Sequence, residues 1–373
     1  MARHLRSAAG LALLALLALL GCGHGDAAGV HGDRGAAPAG SGERAPLPTA
    51  AVRHRGVSWV ADREPVTGRA FASLVAAGAD SIAQTPFGWQ ETEHSPEVRL
   101  ITSGRVFWGE TDEGLEETTR LARERGIRTL LIPQIWLRRA SDGAWRGDIA
   151  MASEADWERW FESYRRLVLH YAALAERLGI PAYCVGVELH AAARDRPDDW
   201  RRLIAEVREV YSGQLTYAAN WHREVEEVPF WDALDLIGVQ GYFPLSAEPL
   251  PTVEELVAGW QPHAAALEAL ARRHGRPVLF TEIGYVSRPG AAADPWVWPE
   301  RGQREASSEE GLELQARAYE AFFRTFWHRP WVAGAYFWKW YPGLPPGETS
   351  GVDYSPQGKP AERVLRRWYA GIG

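Results

Sequence analysis

The sequence has 373 residues, of which 46% are hydrophobic, 24% charged and 11% aromatic, and this composition excludes a disordered, collagenous or coiled-coil chain. The 41 basic and 48 acidic residues give a net charge of −7 without any basic run, so we expect no nucleic-acid partner. Two cysteines are too few for a disulfide framework, whereas 18 tryptophans favour a site built from flat apolar side-chain faces.

The N-terminal residues have the pattern of an export signal. Arg3 and Arg6 form a basic start, and residues 8–21 are an unbroken run of Ala, Leu and Gly. This run has the length of a signal-peptide core and is short for a helix that spans a bilayer. Its end resembles a bacterial lipobox, so we expect residues 1–21 to be a lipoprotein signal peptide and Cys22 to be lipidated. The alternative is an ordinary cleaved signal with an incidental cysteine.

Residues 22–54 are predicted to be a flexible linker that follows the lipidated cysteine. Residues 23–50 are rich in Gly, Ala and Pro and contain no aromatic side chain, so they cannot bury enough surface to offset the entropy of ordering. We therefore expect an exported protein, held at the cell envelope by its lipid anchor alone, either periplasmic or surface-exposed. We expect it to be a monomer.

From residue 55 onward, short apolar runs alternate with longer stretches of helical periodicity. The eight runs are residues 56–60, 81–85, 128–137, 182–189, 215–222, 234–242, 277–285 and 333–340. The clearest helical stretches are residues 113–125, 154–178, 198–211, 253–274 and 308–327. Several runs are apolar almost throughout, as expected for parallel strands covered on both faces.

This alternation predicts an α/β fold, a single (β/α)₈ TIM barrel over residues 55–373. Gly126, Gly179 and Gly275 each follow a helical stretch, where a left-handed C-cap is favoured, and Ser308 is a plausible helix start. The stretch between the fifth and sixth strands is too short for a full helix. A doubly wound open sheet is the alternative, but no Gly-x-Gly-x-x-Gly follows the first strand.

Two glutamates end apolar strands of this barrel. Glu188 closes the fourth strand and Glu282 lies near the end of the seventh, at the face where barrel enzymes carry their reacting groups. Strands three positions apart on a small barrel face each other across its mouth. Such a carboxyl pair suits an acid/base and a nucleophile at a glycosidic bond, whereas a lone strand-end Glu is more often a salt-bridge partner.

Most strand ends also carry an aromatic residue beside an amide or hydroxyl. Sugar rings have apolar C–H faces and hydroxyl groups, so stacking platforms flanked by polar groups suit them. For any single tryptophan here, packing at the barrel rim is the alternative. The candidate sugar-binding residues are Trp59, Trp89, Trp136, Asn220, Trp221, His222, Tyr242 and Trp338.

Together these residues resemble clan A glycoside hydrolases, and within them family 113, the β-mannanase-type barrels. The motifs are the strand-end Glu188 and the segments 56–59, 107–110, 281–285 and 353–360. The resemblance covers residues 55–370.

The resemblance implies a retaining double displacement on a β-mannan or a related β-1,4-linked polysaccharide, with no cofactor. It implies Glu188 as acid/base, Glu282 as nucleophile, Tyr242 as hydrogen-bond partner of the nucleophile and Trp338 as the floor of the −1 subsite. Val187 stands where many clan members have Asn, so the role of that Asn at the sugar 2-hydroxyl passes to another group, such as Asn220 or His222, or is lost.

Two other functions are consistent with parts of the sequence. A catalytically silent glycan-binding lipoprotein would also use the tryptophans and the anchor, although it has no need for two adjacent carboxylates. A metal-dependent hydrolase would need ligands such as His190, His222 and Glu188, but no His-x-His follows the first strand and no Cys/His cluster has zinc spacing. We therefore expect no metal site.

Overall fold

The computed structural model describes residues 46–104, 106–298 and 306–373, and its compact unit begins at Pro46. The predicted signal peptide, Cys22 and most of the predicted linker lie outside these residues. The last part of that linker packs on the barrel, because the Ala50 N–H donates to the Pro330 carbonyl at 3.0 Å and Arg53 donates to the Trp327 carbonyl. The folded unit therefore starts before residue 55.

The described strands and helices alternate along the chain. The strands are β1 (His54–Trp59), β2 (Ser81–Gln84), β3 (Phe87–Gln90), β4 (Val98–Leu100), β5 (Arg128–Leu131), β6 (Gln134–Leu137), β7 (Ala182–Val187), β8 (Gln214–Asn220), β9 (Leu236–Gln240), β10 (Val278–Ile283) and β11 (Val332–Trp340). The helices are α1 (Ala72–Ala76), α2 (Asp112–Arg123), α3 (Glu154–Arg177), α4 (His190–Asp195), α5 (Pro197–Val210), α6 (Glu224–Glu227), α7 (Val253–His274), α8 (Glu309–Phe326) and α9 (Pro360–Tyr369).

Eight of the strands close into a parallel barrel, in the order β1-β2-β5-β7-β8-β9-β10-β11 with β11 pairing back to β1. This confirms the predicted (β/α)₈ architecture. Strands β7, β9 and β10 are buried at every position, because barrel side chains fill one face and helices cover the other. Between β8 and β9 the chain forms only the four-residue α6 and a short 3₁₀ turn, as the length of that stretch predicts.

A small sheet outside the barrel differs from the prediction. The apolar run 128–137 is two strands, since β5 belongs to the barrel and β6 pairs with β3 in a separate sheet of order β4-β3-β6. Proline follows the barrel strand in both places, Pro86 before β3 and Pro133 before β6, and proline removes a donor from the ladder. Trp89 and Trp136, expected at barrel strand ends, therefore lie on this small sheet.

The helix ends follow local sequence signals. The Ser308 side chain accepts a hydrogen bond from the Gly311 N–H at 3.1 Å, which caps α8 at its N-terminus. Gly126, Gly179 and Gly275 have φ values of 71°, 60° and 63°, the left-handed conformation predicted for them. None of the described helices combines the length and the hydrophobicity that crossing a membrane requires.

An aromatic layer supports the strands that carry Glu188 and Asn220. Trp200 of α5 is fully buried, stacks on Phe230 with ring centroids 5.3 Å apart and contacts Tyr217 of β8 edge-on. Gly186 of β7 lies against this layer, and a Cβ there would approach Trp200 to 2.6 Å. The packing of these rings therefore fixes how closely α5 approaches the two strands.

This packing predicts a large effect of Trp200→Ala on stability. Removing the indole leaves a cavity behind β7 and β8, so we expect the free energy of unfolding to fall by about 3–5 kcal/mol. Urea unfolding followed by far-UV circular dichroism measures the change. Val210→Ala, at the exposed end of the same helix, is the matched control and is expected to stay within about 0.5 kcal/mol of wild type. Equal stability of the two variants would contradict this account of the core.

Candidate active site

Glu188 stands immediately after β7, where the chain turns into α4. Its φ of 52° lies in the left-handed region, which is uncommon for a residue with a Cβ. The carboxyl accepts a hydrogen bond from Asn220 Nδ2 at 2.8 Å and lies 4.0 Å from Arg146 Nε. Burial raises the pKa of Glu188, and the charge of Arg146 and the Asn220 amide partly oppose this rise.

Glu282 lies in β10 and is 9% exposed. Its carboxyl accepts hydrogen bonds from Tyr242 Oη at 3.0 Å and from Gln134 Nε2 at 3.4 Å. Burial raises the pKa of Glu282 to about 7 and the charge of Glu188 adds to the rise, while Arg146 and hydrogen bonds from Tyr242 and Gln240 oppose it. The two sequence-predicted carboxyls thus interact electrostatically.

Arg146 and Gln134 connect the two carboxyls. Arg146 lies in the 3₁₀ turn Arg146–Asp148, and its Nη1 donates to Gln134 Oε1 at 2.5 Å, while the amide of Gln134 reaches Glu282. Sequence analysis did not identify Arg146. The loop before it is polar and has no periodicity that would indicate which arginine faces the two carboxyls. Gln134 is the first residue of β6. Its place at a strand terminus is the only sequence feature that could have identified it as a site residue.

Asn220 is held at both ends of its amide. Its Nδ2 donates to Glu188, and its Oδ1 accepts the His222 backbone N–H at 2.8 Å. The His222 ring is exposed and lies edge-on to Trp221 at 5.2 Å. Val187 stands where the family resemblance predicts an Asn. Asn220 instead contacts the Glu188 carboxyl, and the backbone N–H of His222 holds the Asn220 amide.

Glu224 is a third buried carboxyl near the pair, and sequence analysis did not select it. It is fully buried in α6 and accepts hydrogen bonds from Tyr217 Oη at 2.5 Å and from the Asn220 backbone N–H at 2.6 Å. Burial raises the pKa of Glu224 to about 8, against the effect of both hydrogen bonds. In the sequence it stands among the charged residues 223–227, a pattern typical of a solvated helix, so no signal marked it.

Two groups of aromatic side chains lie on the loops after β8 and β10. Trp221 stacks on Trp296 with ring centroids 5.1 Å apart, and Trp296 is 42% exposed. Trp338 of β11 is half-buried and meets the exposed Trp298 edge-on at 6.0 Å. Loop 287–307, of which residues 287–298 and 306–307 are described, therefore brings Trp296 and Trp298 to the predicted sugar-binding residues Trp221 and Trp338.

The remaining three tryptophans expected to bind sugar have different surroundings. Trp59 is 4% exposed and stacks on Phe71 with centroids 4.5 Å apart, so its ring faces are occupied and it belongs to the core. Trp136 is 43% exposed and presents a free surface on β6, two residues beyond Gln134. Trp89 is half-buried beside it on β3 and lines a separate cavity of about 750 Å³.

The site residues do not form a metal-binding cluster. Within the described part of the chain, no group of three or more His, Cys, Asp and Glu side chains is arranged to hold a metal ion. His190, considered above as a ligand, lies 2.6 Å from Glu227 Oε2, and this contact accounts for its Nε2. What the arrangement offers chemically is a pair of buried carboxyls whose raised pKa values favour the protonated form, as general acid catalysis requires of one of them.

Comparisons with known proteins show which family this chain resembles. The model of Glycoside Hydrolase Family 113 matches residues 59–359. The solved structure of the GH113 β-mannanase AaManA from Alicyclobacillus acidocaldarius, in complex with ManMIm, is 31% identical, with 86% of this chain and 98% of that chain covered and a TM-score of 0.72. A structure described as a GH113 β-1,4-mannanase is 30% identical, with 86% and 99% covered and a TM-score of 0.70.

More distant structures share the fold alone. A β-glucuronidase from Ruminococcus gnavus is 15% identical, with 85% of this chain and 50% of that chain covered and a TM-score of 0.56. No curated protein sequence matches this chain significantly.

The position of Arg146 predicts the effect of Arg146→Met on the carboxyl pair. Because the guanidinium favours both anions, we expect its loss to raise the pKa of Glu188 and of Glu282 above their wild-type values. The measurement is a ¹³C NMR titration of the glutamate carboxyl carbons, assigned with Glu188→Gln and Glu282→Gln. Arg139→Met, at an exposed arginine after β6, is the control and should leave both titrations unmoved. Unchanged or lowered values in Arg146→Met would refute the electrostatic link.

Proposed function

The chain belongs to glycoside hydrolase family 113 and is therefore a glycoside hydrolase, and we propose that it cleaves a β-1,4-linked mannan or a closely related polysaccharide with retention of anomeric configuration. The observation that carries the proposal is the coupled pair of buried carboxyls, with Tyr242 Oη 3.0 Å from Glu282. Membership of a hydrolase family favours the enzyme over the silent glycan-binding protein considered above.

In the first step, Glu282 attacks the anomeric carbon while Glu188 donates its proton to the glycosidic oxygen. The C–O bond to the leaving sugar breaks, and an ester bond forms between the remaining sugar and the Glu282 carboxylate. Donors from Tyr242 and Gln134 orient Glu282 for this attack. Burial keeps Glu188 protonated at a higher pH than an exposed glutamate, so its proton is available to an alkoxide leaving group.

In the second step, Glu188 acts as the base. It accepts a proton from a water molecule, whose oxygen attacks the anomeric carbon and displaces the Glu282 carboxylate. Glu188 is thereby protonated again and Glu282 is free, which returns the pair to its starting state. Each displacement inverts the anomeric carbon, so the product keeps the configuration of the substrate.

Two observations support the proposed substrate class: the descriptions of the relatives and the exposed aromatic residues. The GH113 neighbours are described as β-mannanases, and one of them was solved in complex with ManMIm. In this chain, the exposed Trp136 and the Trp221–Trp296 stack offer apolar faces that suit the C–H faces of a hexose chain. These platforms favour a polysaccharide over a small glycoside.

The stereochemical outcome tests this proposal. With mannohexaose as substrate, we expect ¹H NMR to detect the β anomer of the new reducing end first and the α anomer later, by mutarotation. Glu282→Ala is expected to lower kcat by about 10³-fold or more, because the attacking group is removed. First appearance of the α anomer would assign an inverting mechanism. Wild-type turnover by Glu282→Ala would remove Glu282 from the mechanism.

A further inference from the structure

A closed ring of hydrogen bonds runs from the backbone beside Glu188 back to the Glu188 carboxyl. The Leu189 N–H donates to Tyr217 Oη at 2.7 Å, and that hydroxyl donates to Glu224 Oε1 at 2.5 Å. The second oxygen, Oε2, accepts the Asn220 backbone N–H at 2.6 Å, and Asn220 Nδ2 donates to Glu188 Oε1 at 2.8 Å. The two oxygens of Glu224 thus link the Tyr217 bond to the Asn220 bond and close the ring.

The directions of these bonds follow from the groups themselves. A backbone N–H only donates, so the Tyr217 hydroxyl accepts from Leu189 and its own hydrogen points to Glu224. Both oxygens of Glu224 therefore accept, one from a side chain and one from the backbone of β8. A carboxyl whose two oxygens are held by two different donors, here the Tyr217 hydroxyl and the Asn220 backbone, has one orientation available.

Burial makes this arrangement informative. Glu224 and Tyr217 are both fully buried, and a buried carboxyl without partners is strongly unfavourable. An apolar side chain would fill the same volume without that penalty. Meanwhile Glu188 has φ 52°, a conformation that surrounding contacts must maintain, and the Leu189 N–H bond fixes the next peptide. The ring secures both the backbone and the side chain of Glu188.

We propose that Glu224 is a positioning residue for the reaction: through Tyr217 and Asn220 it holds Glu188 in the orientation from which the proton is delivered to the glycosidic oxygen. This inference rests on the proposed acid/base role of Glu188. Glu224 is fully buried and its hydrogen bonds go to Tyr217 and to the Asn220 backbone, so we expect its effect to fall on the step that needs a correctly aimed proton.

The test compares two leaving groups. Hydrolysis of mannotetraose needs protonation of the leaving oxygen, whereas 2,4-dinitrophenolate leaves from a 2,4-dinitrophenyl β-mannoside without it. We expect Glu224→Gln to lower kcat/KM for mannotetraose about 10–100-fold, less than the full contribution of general acid catalysis, with the dinitrophenyl substrate within about 2-fold of wild type. Tyr217→Phe breaks the same ring at the hydroxyl and should give the same selective loss.

The controls separate positioning from folding. Glu226→Gln, on the same short helix with an exposed side chain, should leave both substrates unchanged. Thermal unfolding identifies any variant that fails to fold; should Glu224→Gln be one, Tyr217→Phe carries the test. Equal loss on both substrates, or no loss on either, would overturn the inference, because a merely structural role does not distinguish leaving groups.

Glu188→Ala distinguishes failure of the inference from failure of the proposed function. A selective loss on mannotetraose in Glu188→Ala supports its acid role, and a non-selective Glu224→Gln then overturns only the positioning role. If Glu188→Ala itself loses both substrates equally, the acid role of Glu188 fails and the inference fails with it.

Discussion

The burial of two interacting carboxyls is the constraint on which the site depends. Removal from water disfavours the charge on Glu188 and on Glu282, and the charge of Glu188 further raises the pKa of Glu282. The surrounding donors compensate in part: Tyr242 and Gln134 face Glu282, and Asn220 faces Glu188. The raised pKa values of the pair favour retention of a proton, which is the condition for one group to donate while the other attacks.

The barrel makes this unfavourable pair possible by supplying partners from separate strands. Tyr242 follows β9, Asn220 ends β8 and Gln134 lies three residues after β5, so groups far apart in the chain converge at the carboxyl ends of the barrel strands. Behind them, the rings around Trp200 and the close approach at Gly186 hold β7 and β8 in place. Rigid packing below the site is what allows hydrogen bonds above it to keep a fixed geometry.

The sequence predicted what depends on periodicity and on strand ends. Buried parallel strands are apolar throughout, so the eight barrel strands and the two glutamates that end β7 and β10 were evident. Trp59 shows the limit of this rule, because a strand-end tryptophan has the same sequence context whether its faces are free or packed on Phe71. The apolar run 128–137 predicts one strand, because a proline within such a run does not reveal that the chain continues into a second sheet.

The polar partners from loops were beyond prediction for a different reason. Arg146 and Glu224 belong to charged stretches that resemble a solvated surface. Only the tertiary structure brings their side chains close to the carboxyl pair. Arg146 contacts Gln134 and Glu188, which are distant in the sequence. The contact of Glu224 with Asn220 depends on the turn that follows β8. The pattern of a single sequence indicates which faces of helices and strands are apolar. It does not indicate which charged side chains are buried.

The most direct test of the account is to trap the covalent intermediate. In a 2-deoxy-2-fluoro-β-mannosyl fluoride, the fluorine at C2 destabilises the oxocarbenium-like transition states of both steps. The good leaving group at C1, fluoride, keeps the first step fast, so the ester accumulates. We predict that peptide mass spectrometry of the inactivated enzyme locates the sugar on Glu282. A sugar on Glu188, or turnover of the reagent without any labelled peptide, would contradict the central claim.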